Sequence, residues 1–92
     1  LEQACSVALR VAGPLSLPYA LALDRLGSLH WTTGRLADAE RHLRAALAAC
    51  EAATGPRSRD TAARLNNLAL AVKARGRTAE AAALLERAIE AG

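Results

Sequence analysis

Few side chains in this 92-residue sequence are placed to do chemistry. His30 falls on the same helical face as Leu23 and Leu26, which predicts packing in the core. His42 follows Asp38 by four residues, a spacing typical of a surface contact along one helix. The sequence contains no recognisable nucleophile–base arrangement, phosphate loop, zinc spacing or dinucleotide glycine pattern. We therefore expect no catalytic residue, no cofactor and no metal site, and a protein that is not an enzyme.

The two cysteines also favour a structural interpretation. Neither Cys5 nor Cys50 has a histidine or a second cysteine at metal-ligand spacing. We interpret both as small, partly buried residues in a reducing compartment, and a disulfide remains the alternative. No run approaches the roughly 18 apolar residues of a membrane span, and no signal-peptide pattern is present. These features predict a cytoplasmic protein without membrane contact.

The net charge of +3 is unevenly distributed. Residues 57–77 carry six basic residues and one acidic residue, and residues 78–92 have a net charge of −2. Such a basic segment could steer acidic partners, including nucleic acid. Aromatic residues are not interleaved with the basic ones, and no nucleic-acid reading motif is present, so a nucleic-acid contact is the weaker interpretation. Solvated helix surfaces explain the charges equally well.

A repeated sequence pattern indicates the secondary-structure elements that position these residues. Residues 34–47 read GRLADAERHLRAAL, and residues 76–89 read GRTAEAAALLERAI, at an offset of 42 residues. The pair Gly13-Pro14 recurs at the same offset as Gly55-Pro56. Repetition at a period of 20–50 residues is the signature of stacked supersecondary units.

Apolar periodicity predicts that each unit is a pair of helices. The composition is rich in residues that favour helices, and we expect five of them, near 1–12, 18–33, 36–53, 61–75 and 78 to the end. Gly34 and Gly76 are predicted to turn the chain within each pair. The predicted buried positions are Leu23, Leu26, Gly27, His30, Ala39, Leu43, Ala46, Leu47, Cys50, Leu65, Leu68, Ala69, Val72, Ala81, Leu85, Ala88 and Ile89.

On these residues the sequence resembles the tetratricopeptide repeat family. The pattern is carried by Leu23, Leu26-Gly27, His30, Gly34, Ala39, Leu43 and Ala46 and by their counterparts 42 residues later. The long period and the stretch from Leu65 to Ala69 resemble the kinesin-light-chain type of this repeat. The resemblance implies an all-α fold, a right-handed solenoid of antiparallel helix hairpins. We expect one domain over 1–92, with 1–14 as the second helix of a preceding repeat and repeats at 18–53 and 60–92, cut from a longer protein.

The resemblance also implies a groove, lined by the first helix of each repeat, that holds peptides. Carried over position by position, the groove side presents Leu21, Asp24, Ser28, Trp31 and Thr32 of the first repeat and Ala63, Asn66, Leu70, Lys73 and Ala74 of the second. The candidate peptide-binding residues are Asp24, Ser28, Trp31, Asn66, Asn67, Leu70 and Lys73. Asn66 could hydrogen-bond a peptide backbone, Lys73 could receive a carboxylate, and Trp31 could form an aromatic wall. In the alternative interpretation, the two asparagines bond neighbouring helices and Trp31 packs against the preceding repeat.

Two functions remain open from the sequence. The first is a non-catalytic scaffold that binds a protein or peptide, as a module of a larger regulatory protein. The second is a self-association element without its own ligand. One helix pair cannot bury its apolar face alone, so exposed repeat ends could join two copies.

Overall fold

The computed structural model describes residues 2–13 and 16–91, and these form five helices with no strand in the described ranges. The helices are α1 (Glu2–Ala12), α2 (Leu17–Thr32), α3 (Leu36–Thr54), α4 (Arg59–Ala74) and α5 (Thr78–Ala91). The predicted all-α fold is confirmed. Pro14, predicted to end a helix, and the terminal residues Leu1 and Gly92 of the predicted domain lie outside the described residues.

Serine side chains begin the first helix of each repeat. The Ser16 hydroxyl accepts a hydrogen bond from the Tyr19 backbone N–H at 3.4 Å, and the Ser58 hydroxyl accepts one from that of Thr61 at 3.1 Å. Both satisfy a backbone donor that the helix itself leaves unpaired. The two serines are 42 residues apart, so the repeat preserves the cap as well as the core.

Glycine closes each hairpin and permits one close helix crossing. Gly34 and Gly76 have φ angles of 82° and 85°, a left-handed conformation that disfavours other residues. Gly27 lies within α2, where an added Cβ would stand 2.8 Å from Leu43 Cγ. The backbone of α2 therefore approaches α3 more closely than a larger residue at position 27 would allow.

The helices stack in chain order, each packing mainly on the next. The largest fully buried side chains include Leu65, Leu68 and Val72 of α4, which pack with residues of α3 and α5 in one apolar cluster. Cys5 and Cys50 are buried in two other clusters that involve α2. The order of packing gives a slab with Cα extents of 37 × 30 × 13 Å, as expected for stacked hairpins.

The predicted buried stripe of α5 is wrong in part. Leu85 and Ile89 are exposed, and Leu84 is the buried leucine of this helix. Their first-repeat counterparts, Leu43 and Leu47, are buried because they join the cluster formed with α4. No described helix packs on the equivalent face of α5. His30 is likewise only half-buried, not enclosed in the core.

Candidate functional site

A pocket lies between the first helices of the two repeats. Its volume is ≈ 150 Å³. It is lined by Ser28, Trp31 and Thr32 of α2, Leu43 of α3, and Asn67 and Leu70 of α4. The lining residues are drawn from both repeats, so the pocket forms only when the two hairpins stack.

Helical spacing places the lining residues on facing surfaces. Ser28, Trp31 and Thr32 follow the i, i+3, i+4 pattern of one helical face, and Asn67 and Leu70 are three residues apart on α4. Leu43 lies beneath them, buried at the crossing that Gly27 allows. The pocket therefore has a fixed apolar floor.

The walls of the pocket combine apolar surface with a few polar groups. Trp31 and Leu70 are 37% and 50% exposed, so both offer apolar surface to a ligand. The Thr32 hydroxyl donates to the Leu29 carbonyl at 2.9 Å and is satisfied within its own helix. Ser28 and Asn67 supply the remaining polar character. Apolar walls with a small number of polar groups are typical of ligand sites.

Asn67 is held in place by a carboxylate from the other repeat. Its Nδ2 donates to Asp24 Oδ1 at 3.0 Å and to Oδ2 at 3.2 Å. Arg64 Nε lies 3.3 Å from Asp24 Oδ1, and both of these side chains are nearly buried. Arg64 Nε and Nη1 have no hydrogen-bond partner among the described residues. Asp24 is therefore engaged between helices, which agrees with the structural interpretation of Asn67 left open by the sequence.

Asn66 and Lys73 lie outside the pocket, on the exposed surface of α4. Asn66, Leu70 and Lys73 are spaced i, i+4, i+7, so they share one face of the helix. Lys73 has no ion-pair partner within 4.0 Å in the described part of the chain. Both polar groups are accessible to a ligand that runs along α4 from the pocket.

Three of the six basic residues in the segment 57–77, namely Arg64, Arg75 and Arg77, are paired with acids outside it. The buried carboxylate of Glu40 in α3 accepts from Arg44 Nε at 2.8 Å, from Arg75 Nη1 at 2.7 Å, and from Arg77. Arg44 also donates to Glu80 of α5. The hydrogen bond from Arg44 lowers the pKa of the Glu80 carboxyl. These pairs tie α3 to the α4–α5 turn and leave less free positive charge than the sequence indicates.

The described residues were also compared with two other classes of feature, a membrane-spanning helix and a metal-binding cluster. Among these residues, no helix is long and apolar enough to cross a membrane. The same residues contain no group of three or more His, Cys, Asp or Glu side chains that could hold a metal ion.

The family assignment rests on residues 18–91, which match the family model described as Tetratricopeptide repeat. The chain belongs to the tetratricopeptide repeat family. The match spans nearly all of α2 and the whole of α3, α4 and α5, and it therefore includes every helix that lines the pocket. Tetratricopeptide repeats generally mediate protein–protein interaction and are generally non-catalytic scaffolds. No curated protein is significantly similar to this chain.

In this tetratricopeptide repeat protein, four of the seven candidate residues line the pocket: Ser28, Trp31, Asn67 and Leu70. Asp24 contacts the pocket only through Asn67. Thr32 was predicted on the groove side of the first repeat and lines the pocket, whereas sequence reasoning did not place Leu43 in the site. The role of Leu43 depends on the gap between helices, which no local pattern shows.

Proposed function

We propose that this tetratricopeptide repeat protein binds an extended segment of a partner protein across α2 and α4. One apolar side chain of the segment occupies the pocket lined by Trp31, Leu43 and Leu70. The pocket itself is the observation that carries the proposal, because it joins both repeats and combines an apolar floor with accessible apolar walls.

The volume of the pocket sets the size of the anchoring side chain. An apolar cavity of about 150 Å³ holds one benzene-sized group, and the pocket measures ≈ 150 Å³. Leucine, isoleucine and phenylalanine side chains meet this limit. A short apolar residue leaves the space unfilled, and the anchor is therefore a large aliphatic residue or a single aromatic ring.

The polar groups of α4 define the neighbours of the anchor. Asn67 uses Nδ2 to bond Asp24, so its Oδ1 can accept an N–H from the backbone of the segment. Asn66 can donate and accept in the same way, and Lys73 attracts a carboxylate on the segment. The partner segment thus carries an apolar anchor next to an acidic residue.

The proposal also covers the cellular setting of the protein, the type of its repeats and the class of its partner. The protein is a non-catalytic cytoplasmic module of a larger regulatory protein, and its repeats, at 18–53 and 60–92, are of the kinesin-light-chain type. The 42-residue period supports that type, and the family match is compatible with it. Nucleic acid is disfavoured as a partner, since Arg64, Arg75 and Arg77 are engaged by acids of the same chain.

Selection from a random peptide library on the wild-type protein tests the proposal. We expect the selected peptides to share one large apolar residue beside an acidic one. Ser28→Trp fills the pocket from the exposed surface of α2 and should weaken their binding at least tenfold. Ala48→Trp adds the same bulk to an exposed position of α3 and should leave binding unchanged.

The acidic neighbour is tested by charge reversal on α4. Lys73→Glu should weaken binding of the selected peptides more than Arg59→Glu, which changes the same charge at another exposed position of the helix. Peptides without an apolar residue in common, or equal binding to wild type and Ser28→Trp, would contradict a pocket-anchored segment.

Self-association is the second candidate function, favoured by one observation. Leu85 and Ile89 of α5 are exposed on the face whose counterpart in α3 packs against α4. A second copy of the chain could cover this face. Light scattering over a dilution series should then show dimers that dissociate on dilution or on Ile89→Glu, whereas the control Ala83→Glu, at an exposed position on another face of α5, should have no effect. A monomer at every concentration rejects this candidate.

A further inference from the structure

The two histidines of the chain face each other within the first repeat. His30 lies in the last turn of α2 and His42 in the second turn of α3, on either side of the turn at Gly34. Their ring centroids are 4.9 Å apart and the ring planes are inclined by 31°. Both side chains are half-buried, so the pair is ordered by packing and still reachable from solvent.

The hydrogen bond made by His42 fixes which of its nitrogens is available. His42 Nδ1 lies 2.8 Å from the backbone carbonyl oxygen of Asp38. A carbonyl only accepts, so Nδ1 carries a proton, and in the neutral ring Nε2 is the nitrogen with the lone pair. Metal-bound histidines nearly always donate their other ring N–H to a carbonyl, carboxylate or water in this way. The His30 ring makes no hydrogen bond or ion pair with the described residues, so it too can supply a nitrogen.

The separation of the rings suits two ligands of a single metal ion. Zn–N bonds are about 2.0–2.1 Å long, which places a bound metal about 3.2 Å from each ring centroid. Two such rings at 4.9 Å subtend roughly 100° at the metal, between the angles of cis octahedral and tetrahedral ligands. The His30 ring can turn about its Cβ–Cγ bond, a torsion with a broad energy minimum in histidine, while His42 keeps its hydrogen bond to Asp38.

We propose that His30 and His42 together bind one divalent transition-metal ion, with water filling the remaining coordination positions. Imidazole nitrogen suits Zn²⁺, Ni²⁺ and Cu²⁺, whereas Mg²⁺ and Ca²⁺ require oxygen ligands. The described residues offer no third protein ligand, so this is an open site with two protein ligands. An open position could be taken by a ligand from another molecule.

The bound ion would cross-link α2 to α3 close to the pocket. Trp31 follows His30 directly and Leu43 follows His42 directly, and both residues line the pocket. The metal therefore fixes the two chain segments that form one side of the pocket. Trp31 is the single tryptophan of the protein, so its fluorescence reports on metal bound to the adjacent histidine.

Titration of the protein with Ni²⁺ and Zn²⁺ tests the proposal, using a preparation without a polyhistidine tag in a non-chelating buffer. We expect one ion per chain by calorimetry, quenching of Trp31 fluorescence by Ni²⁺, and no binding of Mg²⁺. His30→Ala and His42→Ala should each weaken binding at least tenfold. Cys5→Ser/Cys50→Ser should bind as wild type does, which excludes the thiols as ligands. Binding should also fall on acidification, since the ligand imidazoles must be neutral.

A second measurement uses only the wild-type chain, in case a histidine variant does not fold. Zn²⁺ should protect both histidines from acylation by diethyl pyrocarbonate, and it should raise the melting temperature because it binds the folded state. The absence of Ni²⁺ and Zn²⁺ binding at millimolar concentrations, or unchanged binding in either single histidine variant, would overturn the proposal.

Discussion

The two hairpins of this protein share one repeated sequence pattern, but equivalent residues of the pattern are buried in one hairpin and exposed in the other. Leu43 in the first repeat is 3% exposed and its counterpart Leu85 is 38% exposed; for Leu47 and Ile89 the values are 8% and 79%. The first hairpin has α4 packed against it, and no described helix covers α5 in the same way. The repeated sequence pattern therefore determines which face of a helix is apolar. Whether that face is buried depends on whether another hairpin stacks on it.

Both histidines of the chain lie in the first hairpin. His30 and His42 correspond to Val72 and Leu84, which are buried in the apolar core of the second hairpin. The half-buried pair of histidines thus occupies the positions at which the other repeat has two buried apolar side chains. The same scaffold can exchange core packing for a candidate binding site at one pair of positions without losing the hairpin.

Truncation of equivalent leucines should give the largest difference in stability loss between the two repeats. Leu43→Ala removes a buried side chain and should lower the free energy of unfolding by about 2–5 kcal/mol. Leu85→Ala removes one already in contact with water and should cost roughly 1 kcal/mol. Urea denaturation of both variants measures the difference, and equal losses would show that the α5 face is covered in solution.

Substitution of the small residues at the helix crossings should lower the free energy of unfolding by an intermediate amount. One substitution adds a methyl group where there is no room, and the other removes a methyl group that is buried. Gly27→Ala forces a Cβ against Leu43, at a cost of about 1–3 kcal/mol, and gains about 1 kcal/mol of helix propensity. We expect a net loss of about 1 kcal/mol. Ala69→Gly, at the equivalent buried position of α4, should lose about 1–2 kcal/mol through helix propensity and a missing methyl group. A Gly27→Ala variant more stable than wild type would show that the crossing has unused space.

Removal of one surface carboxylate should give the smallest effect, visible only through its pH dependence. Because the hydrogen bond from Arg44 lowers the pKa of the Glu80 carboxyl below its usual value of 4.5, the ionised form of Glu80 stabilises the fold. This contribution is present above about pH 4.5 and is lost as the pH falls through the lowered pKa. Glu80→Gln should therefore be slightly less stable than wild type at pH 7 and equally stable near pH 3, as urea midpoints would show. Glu86→Gln is the matched control, because Glu86 is an exposed carboxylate of the same helix with no ion-pair partner among the described residues.

Periodicity and glycine placement were sufficient to predict the five helices and, apart from His30, the core of the first repeat. Leu23, Leu26 and Leu43 are buried where their spacing predicts, because each lies between two neighbouring helices. The burial predicted for Leu85 and Ile89 is wrong, since a periodic pattern shows an apolar face but not whether a neighbour covers it.

Contacts between repeats could not be read from the sequence. Asp24 and Asn67 are 43 residues apart, and Glu40 and Arg75 are 35 apart, with no counterpart pair in the other repeat that would reveal the contact. Their partners are set by how one hairpin rotates against the next, which depends on the summed packing of many side chains. The sequence consequently indicated five residues of the pocket, but it predicted neither the floor at Leu43 nor the hydrogen bond between Asp24 and Asn67.

The binding surface can be located directly by ¹⁵N NMR titration of the protein with a peptide selected for binding. If a partner segment is anchored between the repeats, the largest shifts will occur at the indole N–H of Trp31 and the side-chain amide of Asn67, with smaller shifts along α4 towards Lys73. Shifts confined to α5 around Leu85 and Ile89, with Trp31 and Asn67 unchanged, would contradict the pocket and favour the exposed face of α5.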